Sequence, residues 1–225
     1  MKTVGLVGGM SWESTDTYYQ LINRIVRDKL GELNSGQILM YSLNFADIEP
    51  HQRIGNWQVA ANRIMKAAVE LERAGADFIV ICSVTGHEGA DSIQDNIGIP
   101  LLHIADCIKS KLIGLKTIGL LGTLYTMELG YFKSKLKPKV IVPELWERQF
   151  VSNTIYNEIS QGAILDRSRR KYIEIISNLA KKGAEGVILG CTEIPLLIKQ
   201  ADVNIPVFDS VKIHCEEAVN LMLGV

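Results

Sequence analysis

Lys2-Thr3-Val4-Gly5-Leu6-Val7-Gly8 and Lys116-Thr117-Ile118-Gly119-Leu120-Leu121-Gly122 are two versions of one segment. Each is a short apolar run closed by glycine, the pattern of a strand buried on both faces. Two further matches follow in the same order. Gly75-Ala76-Asp77 before an apolar run answers to Gly183-Ala184-Glu185 before Gly186-Val187-Ile188-Leu189, and Ile99-Pro100-Leu101 answers to Ile205-Pro206-Val207. The offsets are 114, 108 and 106 residues, from Lys2 to Lys116, Gly75 to Gly183 and Ile99 to Ile205. A period that long excludes a solenoid. Between the runs lie helical patterns, over 14–30 and 56–74 in the first half. Strands are expected over 3–7, 37–43 and 78–82, and again over 187–189. Strand–helix alternation of this kind predicts parallel sheets covered by helices. The expected fold is α/β with two pseudo-symmetric, flavodoxin-like lobes, residues 1–100 and 101–208, and an active site in the cleft between them. A last helix near 211–223, within 209–225, could pack on either lobe, the first included.

Composition narrows the function. The 225 residues carry 24 Lys plus Arg against 25 Asp plus Glu, a net charge of −1, which lacks the basic excess of a nucleic-acid binder. No apolar run approaches a membrane span, and no signal-peptide pattern opens the chain, so a cytoplasmic protein is expected. The four cysteines, Cys82, Cys107, Cys191 and Cys215, make no C-x-x-C pair and no zinc spacing. They read as reduced thiols, and no metal is expected.

In parallel sheets, ligands bind beyond the carboxyl ends of the strands. The loops over 8–14, 82–87, 122–127 and 190–195 are therefore the ones that matter. They are rich in Ser, Thr and Gly, suited to a small carboxylate and lacking the fingerprint of a dinucleotide site. Cys191 stands at a strand end, where free backbone N–H groups lower a thiol pKa; it reads equally as an acid/base and as a buried structural cysteine. Moved back by the local offset of 108, Cys191 falls on Ser83, while Cys82 falls on Gly190 and reads as strand core. His87, four residues on, either activates the Ser83 hydroxyl or caps backbone. His51, His103 and His214 read as structural. Gln52 or Arg53 could reach a carboxylate, and the run over 167–171 reads as an exposed helix face.

Gly8-Gly9-Met10-Ser11-Trp12-Glu13-Ser14-Thr15 and Gly190-Cys191-Thr192-Glu193 closely resemble the aspartate/glutamate racemase family, as do Leu121-Gly122-Thr123, Thr126-Met127 and Pro206-Val207-Phe208-Asp209. The likeness covers almost the whole chain and is nearest to the broad-specificity and L-specific branches. It implies racemisation of aspartate or glutamate without pyridoxal phosphate or any other cofactor, in a homodimer, by two cysteines on opposite faces of the substrate Cα. Carried over, Cys191 and Ser83 are the catalytic pair, with Cys82 the alternative to Ser83. Met10, Ser11, Gln52, Arg53, Val84, Thr85, Thr123, Thr126 and Thr192 bind the amino-acid dicarboxylate. The chain departs from the family at one place. Where the family reads C-N-T-x-H, this chain reads Ser83-Val84-Thr85-Gly86-His87, with a hydroxyl for the first thiol and Val84 for an asparagine. That departure predicts slow, asymmetric turnover. It also leaves open a repurposed dicarboxylate binder or a single-cysteine isomerase or decarboxylase.

Overall fold

β1 (Val4–Gly8) and β3 (Phe78–Ile81) are apolar end to end because both of their faces are covered, and none of their side chains is more than 1% exposed. The computed structural model describes all 225 residues and divides into two units. The first is Met1–Cys107 together with His214–Val225, and the second is Ile108–Ile213.

In the first unit, β2 (Ile38–Ser42) joins β1 and β3 in a parallel sheet of order β2-β1-β3. Ile79 adds an isolated parallel bridge to Leu101, a fourth strand reduced to one residue. α1 (Trp12–Leu30) follows β1. Ser11 caps it by accepting the Ser14 amide, Glu13 sits in its first turn, and Arg27 and Lys29 sit in its last. It contributes Tyr18, Ile22 and Val26 to the interior. α2 (Glu49–Arg53) and α3 (Trp57–Arg73) lead from β2 to β3, and the Ile64, Ala67, Ala68 and Leu71 side of α3 packs with Val7, Ile79 and Ile81. α4 (Ala90–Gln94) follows β3, and α5 (Ile104–Lys111) spans the boundary between the units at Cys107.

The second unit carries β4 (Thr117–Gly122), β5 (Lys139–Ile141), β6 (Val187–Gly190) and β7 (Val207–Asp209) in the parallel order β5-β4-β6-β7. Its helices are α6 (Leu124–Glu128), α7 (Gly130–Lys133), α8 (Leu145–Asn157), α9 (Asp166–Lys181) and α10 (Ile194–Leu197). α11 (Ser210–Leu223) starts here and ends in the first unit. There His214 accepts a hydrogen bond from the Tyr18 hydroxyl at 2.9 Å, and the Met222 carbonyl accepts the Lys2 amide at 2.9 Å.

The two sheets repeat residue for residue. Val7 pairs with Ile81 as Leu121 pairs with Leu189, and the Ile79–Leu101 bridge answers to the Val187–Val207 pairing. One expectation needs correcting. The 167–171 run is more than a solvated face: Arg169 donates from Nε to the Leu197 carbonyl at 3.0 Å, and Lys171 Nζ lies 4.5 Å from the centre of the Trp146 ring.

Candidate active site

In the first unit, the loops after β1 and β3 meet. The opening loop is locked by Thr15, whose hydroxyl accepts the Gly9 amide at 2.7 Å and donates to the Ser11 carbonyl at 2.9 Å. Gly9 has φ +87°, and a Cβ there would lie 2.0 Å from the Leu43 carbonyl oxygen, so no other residue fits. Met10 is buried, and its methyl lies 3.5 Å from where a Cβ on Gly86 would stand. Ser83 opens the turn after β3, and its Oγ accepts the Gly86 amide at 3.1 Å. Val84 is buried beside it and Thr85 half-buried. Of the adjacent pair on α2, Gln52 is only 5% exposed. Arg53 instead turns outward toward Glu49, 3.8 Å away, and does not join the loops.

His87 settles one alternative. Its Nδ1 lies 2.7 Å from the carbonyl oxygen of Ser83, not from the hydroxyl, and its Nε2 faces the Ile104 amide at 3.4 Å. It caps backbone, and neither nitrogen is turned to the Ser83 hydroxyl. Cys82, expected in the strand, lies one residue past β3; it is fully buried, and burial pushes its thiol pKa up.

In the second unit, Thr123 caps α6 by accepting the Thr126 amide at 3.4 Å, and the Thr126 hydroxyl lies 3.3 Å from both the Thr123 and Tyr131 hydroxyls. The Thr126 methyl also lies 3.1 Å from where a Cβ on Gly190 would stand, so this loop reaches the end of β6. Cys191 follows there, half-buried. Its thiol donates to Glu193 Oε2 at 2.8 Å, and the Thr192 hydroxyl donates to the same oxygen at 2.7 Å. Burial first, then the Glu193 charge, hold the Cys191 thiol well above its ordinary range, and the Thr192 and Glu193 amides only partly offset this. The lowered pKa expected from the strand-end position is thereby reversed. Cys191 rests as a thiol hydrogen-bonded to the buried Glu193 carboxylate. Glu193, which the sequence reading gave no role, is thus brought against the thiol, although it stands two positions from Cys191 in the quoted motif.

The strand register places Ser83 in the first unit where Cys191 stands in the second, since Cys82 follows Ile81 as Gly190 follows Leu189. No group of three or more His, Cys, Asp or Glu side chains is arranged to hold a metal ion, and no helix is long and apolar enough to cross a membrane.

The family model described as Asp/Glu/hydantoin racemase matches residues 7–218. This chain belongs to that family. The racemase is 44% identical to a candidate Asp/Glu racemase from Yersinia pestis, whose crystal structure superposes with a TM-score of 0.93 over 99% of this chain and 100% of that one. An aspartate racemase homologue from Pyrococcus horikoshii is 33% identical with a TM-score of 0.88, covering 99% and 100% of the two chains. The broad specificity amino-acid racemase of Bacillus subtilis is 24% identical over 231 residues, 98% of each chain. By family, the protein is an amino-acid racemase.

Proposed function

We propose that this racemase interconverts the enantiomers of aspartate, glutamate or a close dicarboxylic relative, without pyridoxal phosphate or metal. Cys191 is the principal acid/base and Ser83 its partner. The observation that carries the reading is the Cys191–Glu193 pair, a thiol hydrogen-bonded to a buried carboxylate at the carboxyl end of a parallel strand. As substrate binds, Glu193 accepts the thiol proton, and the thiolate removes the α-proton from the enantiomer whose Cα–H faces it. The hydroxyls of Ser11, Thr85, Thr123, Thr126 and Thr192, the Gln52 amide and the backbone at Met10 and Val84 supply donors for the carboxylates. Arg53 belongs to this set if it turns inward from Glu49. Such aimed donors stabilise the developing negative charge next to the carboxylate, the dominant cost of the reaction. The names of the relatives support the substrate class. The working protein on this reading is a cytoplasmic homodimer.

A serine hydroxyl is a far weaker acid than a thiol and needs a base to act as one. His87 does not supply it, because both of its nitrogens face backbone. The two enantiomers must be equal at equilibrium, so the asymmetry between Cys191 and Ser83 can show only in rates. Turnover is slow, and faster for the enantiomer that Cys191 deprotonates. The test is proton NMR in D₂O with L- and D-aspartate and L- and D-glutamate separately, with chiral analysis of each. Loss of the α-proton signal that disappears in Cys191→Ala is the expected result. No exchange with any of the four rejects the substrate class. Exchange without inversion would reduce the site to single-cysteine chemistry.

A further inference from the structure

Three of the four histidines in the chain are gathered in the interior of the first unit. The ring centre of His87 lies 4.8 Å from that of His103 and 5.6 Å from that of His214, and none of the three residues is more than 7% exposed. Their hydrogen bonds dictate where the protons sit. The Ser83 carbonyl can only accept, so His87 Nδ1 carries the hydrogen, and its Nε2 accepts the Ile104 amide. The Leu102 carbonyl fixes His214 Nε2 as a donor at 2.9 Å, leaving Nδ1 to accept from the Tyr18 hydroxyl. His103 Nδ1 accepts the Ala105 amide at 3.1 Å. His87 and His214 are neutral, and the proton of each is held on one nitrogen by a backbone carbonyl that can only accept.

The carbonyl that His87 grips belongs to the peptide joining Ser83 to Val84. Three residues after Ser83, the Gly86 amide donates back to Ser83 Oγ. Ser83 is therefore held at two atoms, its carbonyl oxygen by His87 and its hydroxyl oxygen by the Gly86 amide. The bond from His87 is anchored outside the turn, by the segment at Leu102–Ile104 and by α11 through His214.

We propose that His87 is a positioning residue for Ser83: its Nδ1–H holds the peptide that aims the Ser83 hydroxyl, and the ring takes no proton from substrate or hydroxyl. The inference rests on the proposed racemase reading, which gives Ser83 its proton-transfer role. It predicts that the two faces of the reaction come apart. Cys191 alone can remove an α-proton and return a deuteron to the same side, which is washout with retention. Inversion needs delivery from the Ser83 side.

The experiment follows both in D₂O for the wild type, His87→Asn, His87→Gln and His87→Leu. Asparagine places an amide donor where Nδ1 stands, whereas glutamine places it nearer Nε2. The expected result is that His87→Leu and His87→Gln lose about tenfold or more in inversion while retentive washout stays within about threefold. His87→Asn restores inversion, and because it keeps the donor it also serves should the leucine variant fail to fold. Proportional loss of both signals overturns the proposal, since that is what general disturbance of the fold produces. Unchanged inversion in His87→Gln overturns it too, as does failure of His87→Asn to rescue. A wild type without Cys191-dependent exchange rejects the racemase reading itself, and the role of Ser83 with it.

Discussion

Glu193 is two residues from Cys191, and its carboxylate acts on the thiol in two opposed ways. Its charge raises the thiol pKa, and on the proposed mechanism its oxygen receives the thiol proton. Glu193→Gln separates these effects. Removing the charge lowers the Cys191 pKa, so alkylation by iodoacetamide at pH 8 becomes faster than in the wild type. Removing the proton acceptor slows racemisation, by about 10²–10⁴-fold in kcat with a smaller change in KM. Slower alkylation together with slower turnover would mean that Glu193 only shapes the loop. At this scale the sequence is legible in part. The offset between the repeats finds Ser83 and Cys191 as counterparts because strand register is a matter of counting. It misjudges the thiol pKa because a linear reading sees the free N–H groups at a strand end, but not the burial or the direction in which a neighbouring carboxylate points.

Among the elements, the loop from Gly8 to Ser11 is set by its contacts. Gly9→Ala puts a methyl group 2.0 Å from the Leu43 carbonyl oxygen at φ +87° and destabilises the protein by about 3 kcal/mol or more. Gly31→Ala is the control: the backbone is similarly left-handed at φ +76°, nothing lies within 4 Å, and about 1 kcal/mol is expected. Thermal unfolding of the two variants measures the difference, and equal losses would show that backbone conformation, not crowding, sets the cost at Gly9. The central strands and α1, α3 and α11 are readable in advance because their apolar residues follow the period of the element. α8 is not, since its buried face mixes Glu147, Ser152 and Thr154 with Val151 and Ile155. There the polar groups are absorbed by partners distant in sequence, as when Asn178 donates to Glu147 Oε1 at 3.1 Å. β5 is three residues long at a sheet edge, too brief for any periodicity to register.

At the scale of the whole molecule, the histidine cluster makes stability depend on acid. Burial, reinforced by neighbouring imidazoles, lowers the pKa of His87 and of His214 from 6.5 to about 3. The groups that face them are His103, Tyr18 and each other, and none of these is a carboxylate that would hold a charged ring. Between those two pKa values, the unfolded chain binds protons that the folded chain refuses. Stability is therefore full above pH 6.5 and falls as the pH drops toward 3, by up to about 1.4 kcal/mol per pH unit for each histidine. Denaturation midpoints at pH 7.5, 6, 5 and 4 follow this directly. His87→Asn should give a shallower decline, and parallel curves would remove His87 from the account. The division into units has a consequence for biosynthesis. Residues 108–213 form the second unit as one uninterrupted stretch, whereas the first unit is complete only with His214–Val225. On the ribosome, the part made first is thus finished last. The nascent amino-terminal sheet gains its last packing element only when His214–Val225 follows, after the whole of residues 108–213 has been made.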